Sequence, residues 1–314
     1  MSKYKNLKIF SGTSHPILAA AIAKELKVPL SEMQISRFAC GEIYAKPAES
    51  VRGADVFIVQ TATDRVNEDL MELFIMIDAL KRSFANNICV IVPHYGYARQ
   101  DRVASPREPI SAKLMAQLMA ESGADHVISV QLHSDQAQGF FPFPVDNLHL
   151  RKMFAGYLKS KNLQNIVVVA PDAGAAKDAG RLARELDSPL AVLTKERPRF
   201  NVAEVTSVVG DVEGRTCILY DDMIDTAGSV CAAHKALLDN GANPDVYLVA
   251  SHPVFSDPAA ERFQRTMFKE VIVADTIPIP ERKKFKGLTV LPVSQLLAEV
   301  VRCVFEKKSV TEVL

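Results

Sequence analysis

The stretch CILYDDMIDTAGS, residues 217–229, contains the pattern that decides the fold of the second half of the chain. Its first four residues suit a strand buried on both faces, and Asp221 and Asp222 follow at the strand's carboxyl end. The small and hydroxyl-bearing residues of DTAGS, 225–229, then lead into a helical segment. A strand that passes through a short loop into a helix is the repeating unit of an α/β sheet, and such sheets bind ligands beyond the carboxyl ends of their strands.

The residue types of this loop favour an anionic ligand that carries hydroxyl groups. Small side chains let the backbone approach a phosphate, which suits the free N–H groups at the start of a helix, and Thr226 and Ser229 add hydroxyl donors. The adjacent carboxylates of Asp221 and Asp222 repel each other and need donors or a cation, which sugar hydroxyls or Mg²⁺ would supply. The alternative is an acidic helix cap without a ligand, but the order Asp-Asp-x-x-Asp-Thr-Ala-Gly-Ser after a buried strand favours a binding site.

The rest of the chain alternates between short apolar segments and longer amphipathic ones. The pattern predicts strands at 7–12, 54–62, 87–96, 126–133, 165–174, 189–195, 215–223, 245–255 and 270–278. It predicts helices at 15–27, 67–83, 111–123, 175–187, 230–241 and 294–307. Apolar strands separated by helices predict mainly parallel sheets that helices cover on both faces.

Length and internal similarity indicate two domains. The chain has 314 residues, 48% of them hydrophobic, which is longer than one hydrophobic core usually supports. This length fits two domains of about 150 residues. We place the boundary after the turn-rich segment GFFPFPVDN, 139–147, which gives domains at 1–149 and 150–314. The segments HVISVQLHSDQAQG, 126–139, and TCILYDDMIDTAGS, 216–229, both run from an apolar strand to a glycine. Such similarity indicates an internal duplication, although any two α/β strands can be this similar.

Composition excludes several classes of function. The 37 basic and 37 acidic residues balance, and tryptophan is absent, so neither nucleic acid nor a membrane surface is expected as a partner. Five cysteines without a C-x-x-C pair indicate reduced thiols in a cytoplasmic protein. No apolar segment is long enough to predict a signal peptide or a membrane span.

The 217–229 segment resembles the phosphoribosyl-binding motif of type I phosphoribosyltransferases and of phosphoribosyl pyrophosphate synthetases. The resemblance to the second family continues along nearly the whole chain. It is carried by RFACGE (37–42), ESVRGADVFIVQ (49–60), NEDLMELFIMIDALKR (67–82), YGYARQDR (95–102), ISAKL (110–114), HSDQAQGFF (133–141), PVDNL (144–148), PDAG (171–174), KER (195–197) and NVAEV (201–205). It implies two tandem phosphoribosyltransferase-like domains, each a mainly parallel α/β sheet flanked by helices, with the last helix returning to the N-terminal domain.

The resemblance also implies a reaction, in which ATP and ribose 5-phosphate give phosphoribosyl pyrophosphate and AMP for nucleotide and amino-acid biosynthesis. The family resemblance implies Mg²⁺ as cofactor and a homohexamer built from dimers in the cytoplasm. Inorganic phosphate and ADP are expected as effectors. Transfer of a diphosphoryl group depends on alignment and on positive charge around the phosphates, which the remaining motifs can supply.

Carried over position by position, the resemblance implies roles for individual residues. Ribose 5-phosphate is expected at Asp221, Asp222, Asp225, Thr226, Ala227, Gly228 and Ser229. ATP is expected at Phe38, Glu42, Arg99, Gln100, Asp101 and His133. Magnesium is expected at His133 and Asp172, and catalysis at Lys195 and Arg197. An effector site is expected at Ser50, Arg52, Arg107, Ser309 and Thr311.

Taken without the resemblance, several of these residues have plainer explanations. Arg99 and its neighbours resemble a solvated polar loop, His133 a solvated histidine, and Lys195 and Arg197 a basic surface segment. The chain also departs from the family pattern at Cys40, at Gln131 and at Ala175, where relatives usually carry other residues. Two alternatives therefore stay open: a non-catalytic regulatory relative of the synthetase, and a type I phosphoribosyltransferase that acts on a base.

Overall fold

The computed structural model describes residues 4–196 and 205–313. Its helices are α1 (Pro16–Leu26), α2 (Val66–Arg82), α3 (Ser111–Ser122), α4 (Arg151–Ser160), α5 (Ala176–Glu185), α6 (Gly228–Asp239), α7 (Ala259–Arg265) and α8 (Ser294–Phe305). Its strands are β1 (Leu7–Ser11), β2 (Leu30–Ser31), β3 (Met33–Arg37), β4 (Ile43–Pro47), β5 (Asp55–Val59), β6 (Asn87–Val92), β7 (His126–Val130), β8 (Val145–Leu148), β9 (Ile166–Ala170), β10 (Leu190–Glu196), β11 (Val205–Val209), β12 (Thr216–Ile224), β13 (Tyr247–Pro253), β14 (Glu270–Ala274) and β15 (Leu288–Leu291). Short 3₁₀ helices span Asp135–Phe140, Glu281–Lys283 and Val310–Glu312.

The chain divides into two compact units. The first comprises the described residues up to Leu148, Thr276–Pro278 and the described residues from Pro292 onward. The second comprises the described residues of 149–275 together with Ile279–Leu291. Helix α8 therefore belongs to the first unit, in which it packs against α1. As a boundary between folding domains, the division between residues 149 and 150 stays a prediction.

The first unit is built on a six-stranded sheet with the order β2-β1-β5-β6-β7-β8, in which every pair is parallel. Strands β5, β6 and β7 consist mainly of β-branched and apolar residues, nearly all of them buried, because helices cover both faces of a parallel sheet. Strands β3 and β4 form a separate antiparallel hairpin. Pro16 begins α1, where its missing N–H is not needed, and the left-handed Gly123 ends α3.

The second unit is built on a seven-stranded sheet with the order β11-β10-β9-β12-β13-β14-β15. All neighbouring pairs are parallel except β10 and β11, which pair antiparallel at the edge. Strand β12 at the centre has four consecutive buried residues, Cys217 to Tyr220. The mainly parallel α/β architecture predicted from the alternating pattern is confirmed.

Both sheets share one topology. In each, the chain passes from its first strand to a neighbour on one side (β1 to β2, β9 to β10) and then crosses to the other side (β5, β12), where the remaining strands follow in order. The strand order therefore reverses between β1 and β5 in the first unit and between β9 and β12 in the second. The connections that leave such a pair diverge, which opens a crevice at the carboxyl ends of the two strands.

Among the described residues, no helix has both the length and the apolar character that a membrane crossing requires. The longest helix, α2, has acidic residues in its first turn and basic residues in its last turn, as the helix dipole favours.

The packing of α8 predicts where the first unit is sensitive to mutation. Leu297 of α8 is fully buried, whereas Leu114 of α3 is 49% exposed. We expect Leu297→Ala to lower the free energy of unfolding by about 2–5 kcal/mol, because it leaves a cavity in a packed core. The same substitution at Leu114 is expected to change stability by about 0.5 kcal/mol or less. Urea denaturation of both variants measures the difference, and equal effects would contradict the packing described for α8.

Candidate active site

The connection from β12 to α6 holds the acidic and hydroxyl residues singled out in the sequence. Strand β12 extends beyond the apolar CILY to Ile224, because Met223 and Ile224 pair with His252 and Pro253 of β13. Asp221 and Asp222 thus lie in the last part of the strand, and residues 225–227 form the bend. Helix α6 begins at Gly228, two residues before the predicted start, so Ser229 lies in its first turn.

The bend itself has an uncommon backbone conformation. Ala227, just before the first residue of α6, has φ 61° and ψ 7°, the left-handed conformation that most residues with a Cβ avoid. Its side chain is buried at 3% exposure, whereas Thr226 and Ser229 are exposed. A left-handed residue followed directly by helical residues turns successive N–H groups toward one concave side, which is an arrangement that binds anions.

Asp221 and Asp222 stand side by side at this edge of the sheet. The Asp222 backbone N–H donates to Asp221 Oδ1 at 2.9 Å. Burial raises the pKa of Asp221 well above its ordinary value, and the neighbouring charges of Asp222 and Asp172 raise it further. Burial and the neighbouring carboxylates therefore disfavour the charged form of Asp221. A hydroxyl donor or a cation beside it would stabilise that form.

Asp172 follows β9, the strand that pairs with β12, so it lies at the same edge of the second sheet. It is exposed, and its Oδ1 accepts a hydrogen bond from the Ala175 N–H at 3.0 Å. This bond fixes the turn that leads into α5 and leaves Asp172 Oδ2 outside that bond. The three carboxylates Asp172, Asp221 and Asp222 thus share the crevice between β9 and β12.

In the first unit, Arg99, Gln100 and Asp101 lie in the loop after β6. Arg99 and Gln100 are exposed. Gln100 is also a structural residue, because its Oε1 accepts from Ser111 Oγ at 2.7 Å and its carbonyl accepts from the Ala112 N–H at 3.2 Å. These bonds hold the loop against the start of α3, and the role of its residues toward ATP stays a prediction.

His133 follows β7, the next strand of the same sheet, and is exposed. Gln131, two residues before it, is buried and has a left-handed backbone with φ 43°. Its N–H donates to the Leu148 carbonyl at 2.7 Å. Gln131 therefore shapes the turn that presents His133, although the sequence singled it out only as a departure from the family pattern.

Phe38 and Glu42 lie at the two ends of the tight turn between β3 and β4. The Phe38 N–H donates to the Glu42 carbonyl at 2.9 Å, and Gly41 provides the positive φ of 95° that the turn requires. The Phe38 ring is 55% exposed and meets Tyr44 edge-on, with ring centroids 6.1 Å apart. The exposure of the ring shows that Phe38 is not a core residue.

The two residues predicted to be catalytic lie at the limit of what the structure describes. Lys195 belongs by its backbone to β10, opposite Thr206 of β11, and its side chain is outside the described part of the chain. Arg197 lies outside the described residues. Their roles stay predictions.

The five residues predicted to bind effectors all lie in exposed parts of the first unit. Arg52 lies over the Phe84 ring, 4.3 Å from its centroid. Arg107 has a left-handed backbone with φ 74°. The Thr311 N–H donates to Ser309 Oγ at 3.2 Å. Ser50 lies in the segment after β4, and an effector role for these residues stays a prediction.

The crevice of the first unit differs from that of the second, because its own side chains fill it. Gln60, at the end of β5, accepts from Ser14 Oγ at 2.7 Å and donates to the buried Glu72 at 2.9 Å. A side chain on Gly12 would overlap the Gln60 amide. This difference could not be predicted from the sequence, since both halves share the same strand pattern.

One residue near the bend at 225–227, called the phosphate loop below for the ligand that its sequence predicts, was missed from the sequence. Arg262 of α7 donates from Nη1 to the Thr226 carbonyl at 2.7 Å. It lies 36 residues after Thr226 in a segment without a motif, so no sequence signal connects the two.

Magnesium fits the donor chemistry of the second crevice. Carboxylate oxygens are the protein ligands that Mg²⁺ prefers, and Asp172, Asp221 and Asp222 supply them at this edge of the sheet. Within the described residues, no group of three His, Cys, Asp or Glu side chains is arranged to hold a metal ion alone. Magnesium usually takes only one or two protein ligands and completes its shell with water and phosphate oxygens.

Comparison with known proteins identifies the class to which this fold and crevice belong. Residues 7–123 match the model of the N-terminal domain of ribose phosphate pyrophosphokinase, and residues 194–314 match that of the phosphoribosyl synthetase-associated domain. Ribose-phosphate pyrophosphokinase of Bacillus subtilis is 48% identical over 98% of this chain and 96% of its own length. That of Corynebacterium ammoniagenes is 46% identical over 98% of this chain and 96% of its own length.

A solved structure agrees. The crystal structure of phosphoribosylpyrophosphate synthetase from Mycobacterium smegmatis is 47% identical and matches with a TM-score of 0.92, covering 96% of this chain and all of that chain. The chain therefore belongs to the ribose-phosphate pyrophosphokinase family. The family resemblance and the fold class predicted from the motifs are confirmed.

The raised pKa of Asp221 predicts a pH-dependent effect of Asp221→Asn. The protonated carboxyl is favoured in the folded state, so native stability is lost as the pH rises from the ordinary value of 3.8 through the raised pKa. The neutral amide avoids this loss. We expect the ligand-free variant to melt above the wild type, with a margin that grows as the pH increases from 5 to 8.

Thermal melts in that pH range measure the margin. Asp239→Asn is the matched control, because Asp239 is exposed and pairs only at the surface with Lys235. A margin that shrinks with rising pH, or that Asp239→Asn reproduces, would contradict the account of Asp221.

Proposed function

We propose that this chain is an active ribose-phosphate diphosphokinase, which transfers the diphosphoryl group of ATP to ribose 5-phosphate. The C1 hydroxyl oxygen attacks the β-phosphorus of ATP, and the bond from that phosphorus to the oxygen shared with the α-phosphate breaks. The hydroxyl proton is released, and the products are phosphoribosyl pyrophosphate and AMP. The observation that carries the proposal is similarity at 45–48% identity, along almost the whole chain, to proteins named ribose-phosphate pyrophosphokinase.

The crevice of the second unit is proposed to hold the acceptor. Asp221 and Asp222 would accept hydrogen bonds from the ribose hydroxyls, which supply the donors that two adjacent carboxylates need. The 5-phosphate would lie against the bend formed by Asp225, Thr226, Ala227, Gly228 and Ser229. The N–H groups at the start of α6 and the hydroxyls of Thr226 and Ser229 support this placement.

ATP is assigned to the residues of the first unit that the family pattern marks. Arg99 and Gln100 would bind phosphate or adenine, with Asp101 beside them, and the exposed Phe38 offers a ring on which adenine can stack. Glu42 and His133 complete the set. Two cations, Lys195 and Arg197, would stabilise the charge that shifts during transfer.

Two residues are proposed as magnesium ligands on the family pattern, Asp172 in the second unit and His133 in the first. Asp221 and Asp222 add negative charge near Asp172. When bound, Mg²⁺ neutralises phosphate charge on ATP and makes the β-phosphorus easier to attack. Carboxylates suit this ion better than histidine does. We therefore expect Asp172→Asn to raise the Mg²⁺ concentration needed for half-maximal activity more than His133→Gln does.

The remaining assignments concern regulation, oligomeric state and localisation. Inorganic phosphate and ADP are proposed as effectors that bind at Ser50, Arg52, Arg107, Ser309 and Thr311. We propose a cytoplasmic homohexamer built from dimers, in which the exposed turn at Phe38 and Glu42 serves the ATP site of a neighbouring subunit. Analytical ultracentrifugation tests the assembly, since a monomer at assay concentration would contradict it.

One assay separates this function from its alternatives. Purified protein is incubated with ATP, ribose 5-phosphate, Mg²⁺ and inorganic phosphate, and AMP and phosphoribosyl pyrophosphate are measured. Equal amounts of both products are expected. A phosphoribosyltransferase would release no AMP under these conditions and would consume phosphoribosyl pyrophosphate only with a base. A folded protein that yields neither product would support the non-catalytic alternative.

Lys195 is expected to act on the transferring phosphates more than on ATP binding. Lys195→Ala should lower kcat by about 10²-fold or more, which is the usual effect of removing one donor to developing charge, while KM for ATP changes little. The matched control is Lys235→Ala, because Lys235 is an exposed surface residue of α6. Comparable losses in kcat and ATP affinity, or no loss, would contradict this role.

A further inference from the structure

Arg262 is the charged side chain that the fold brings against the backbone of the phosphate loop. It lies on α7, half-buried, and its Nη1 donates to the Thr226 carbonyl at 2.7 Å. This contact joins α7 to the bend before α6 inside the second unit. A guanidinium stays protonated at any physiological pH, so the bond is permanently charge-assisted.

The contact fixes the direction of the peptide between Thr226 and Ala227. In a planar trans peptide the carbonyl and the N–H point in opposite directions. Because Arg262 takes the Thr226 carbonyl on one side, the Ala227 N–H is presented on the other. Ala227 has φ 61°, which is unfavourable for a residue with a Cβ, so the bond helps to hold a peptide next to this conformation.

Gly228 shows how closely the guanidinium approaches the loop. A Cβ at this position would lie 3.1 Å from Arg262 Nη1 and 3.7 Å from its Cζ. A side chain at residue 228 would therefore require the Arg262 guanidinium to shift slightly from its position against the Thr226 carbonyl. The glycine serves the close approach of Arg262 and not a positive φ, since residue 228 already belongs to α6.

The charge of Arg262 also reaches the first turn of α6. Burial raises the pKa of the Cys231 thiol, whereas a hydrogen bond from Thr266 and the positive charge of Arg262 lower it. An anion at the start of α6 would experience the same positive charge in addition to the helix dipole.

We propose that Arg262 is a positioning residue for the 5-phosphate of ribose 5-phosphate. It holds the Thr226–Ala227 peptide with the N–H toward the phosphate, and Gly228 leaves room for it. This inference rests on the proposed function, because it deepens the assignment of the same loop. In this role Arg262 contacts no reacting atom. Its loss therefore impairs binding of the phosphate and leaves the transfer step unchanged.

The test compares Arg262→Gln with Arg262→Lys and with the control Arg265→Gln, an exposed arginine on the same helix. We expect Arg262→Gln to raise KM for ribose 5-phosphate about tenfold or more, as loss of a charge-assisted bond implies. At saturating ribose 5-phosphate, kcat should stay within about twofold, and KM for ATP should be unchanged. Arg262→Lys should recover part of the affinity, and Arg265→Gln should match the wild type.

Calorimetric titration with ribose 5-phosphate measures the same effect without turnover. Gly228→Ala provides a second variant, because its Cβ crowds the Arg262 guanidinium, and we expect it to weaken ribose 5-phosphate binding even where Arg262→Gln is poorly folded. Unchanged ribose 5-phosphate affinity in both variants, or equal losses for ATP and ribose 5-phosphate, overturns the proposal. If the wild type releases no AMP, the proposed function fails, while the titration still decides on Arg262.

Discussion

The parallel pairing of β9 with β12 is the constraint on which the second unit depends. These strands are far apart in the sequence, and their register, with Thr216 opposite Ile166 and Leu219 opposite Val169, brings both carboxyl ends to one edge. Asp172, which follows β9, and Asp221, in the last part of β12, come together at this edge. The connections diverge from this pair, so a crevice opens where the carboxylates and the start of α6 lie together.

The same topology has two different outcomes in the two units. In the first, Gln60 accepts a hydrogen bond from Ser14 and donates one to Glu72, and these side chains fill the corresponding crevice. In the second, Asp221 and Asp222 lie adjacent, and burial together with the neighbouring carboxylates raises the pKa of Asp221. A hydrogen-bonded polar network stabilises a fold, whereas a carboxyl whose pKa burial and like charges shift strongly is typical of a functional site.

Local pattern was sufficient for the regular parts of the fold. Strands such as β6 and helices such as α2 were predicted within a few residues, because their apolar periodicity is strong. The pattern missed α4, the hairpin of β3 and β4, and the edge strand β15. Helix α4 is short and begins with two charged residues, and the hairpin strands alternate only between half-buried and exposed residues, so neither has a pronounced apolar signal. Helix α8 belongs to the first unit because it packs against α1. The two helices lie near opposite ends of the sequence, so no local pattern predicts their contact.

By itself, the sequence determined the α/β class, the strand–loop–helix at 217–229 and the family, because each is expressed in residues that are neighbours along the chain. Only the tertiary structure decided which of these residues meet. It placed Asp172 beside Asp221, filled the first crevice with Gln60 and brought Arg262 to the Thr226 carbonyl. The physical reason is that such contacts depend on the order of strands in a sheet and on the path of helices over it. Side chains thus become neighbours at separations of 36 residues or more, for which the sequence contains no periodic signal.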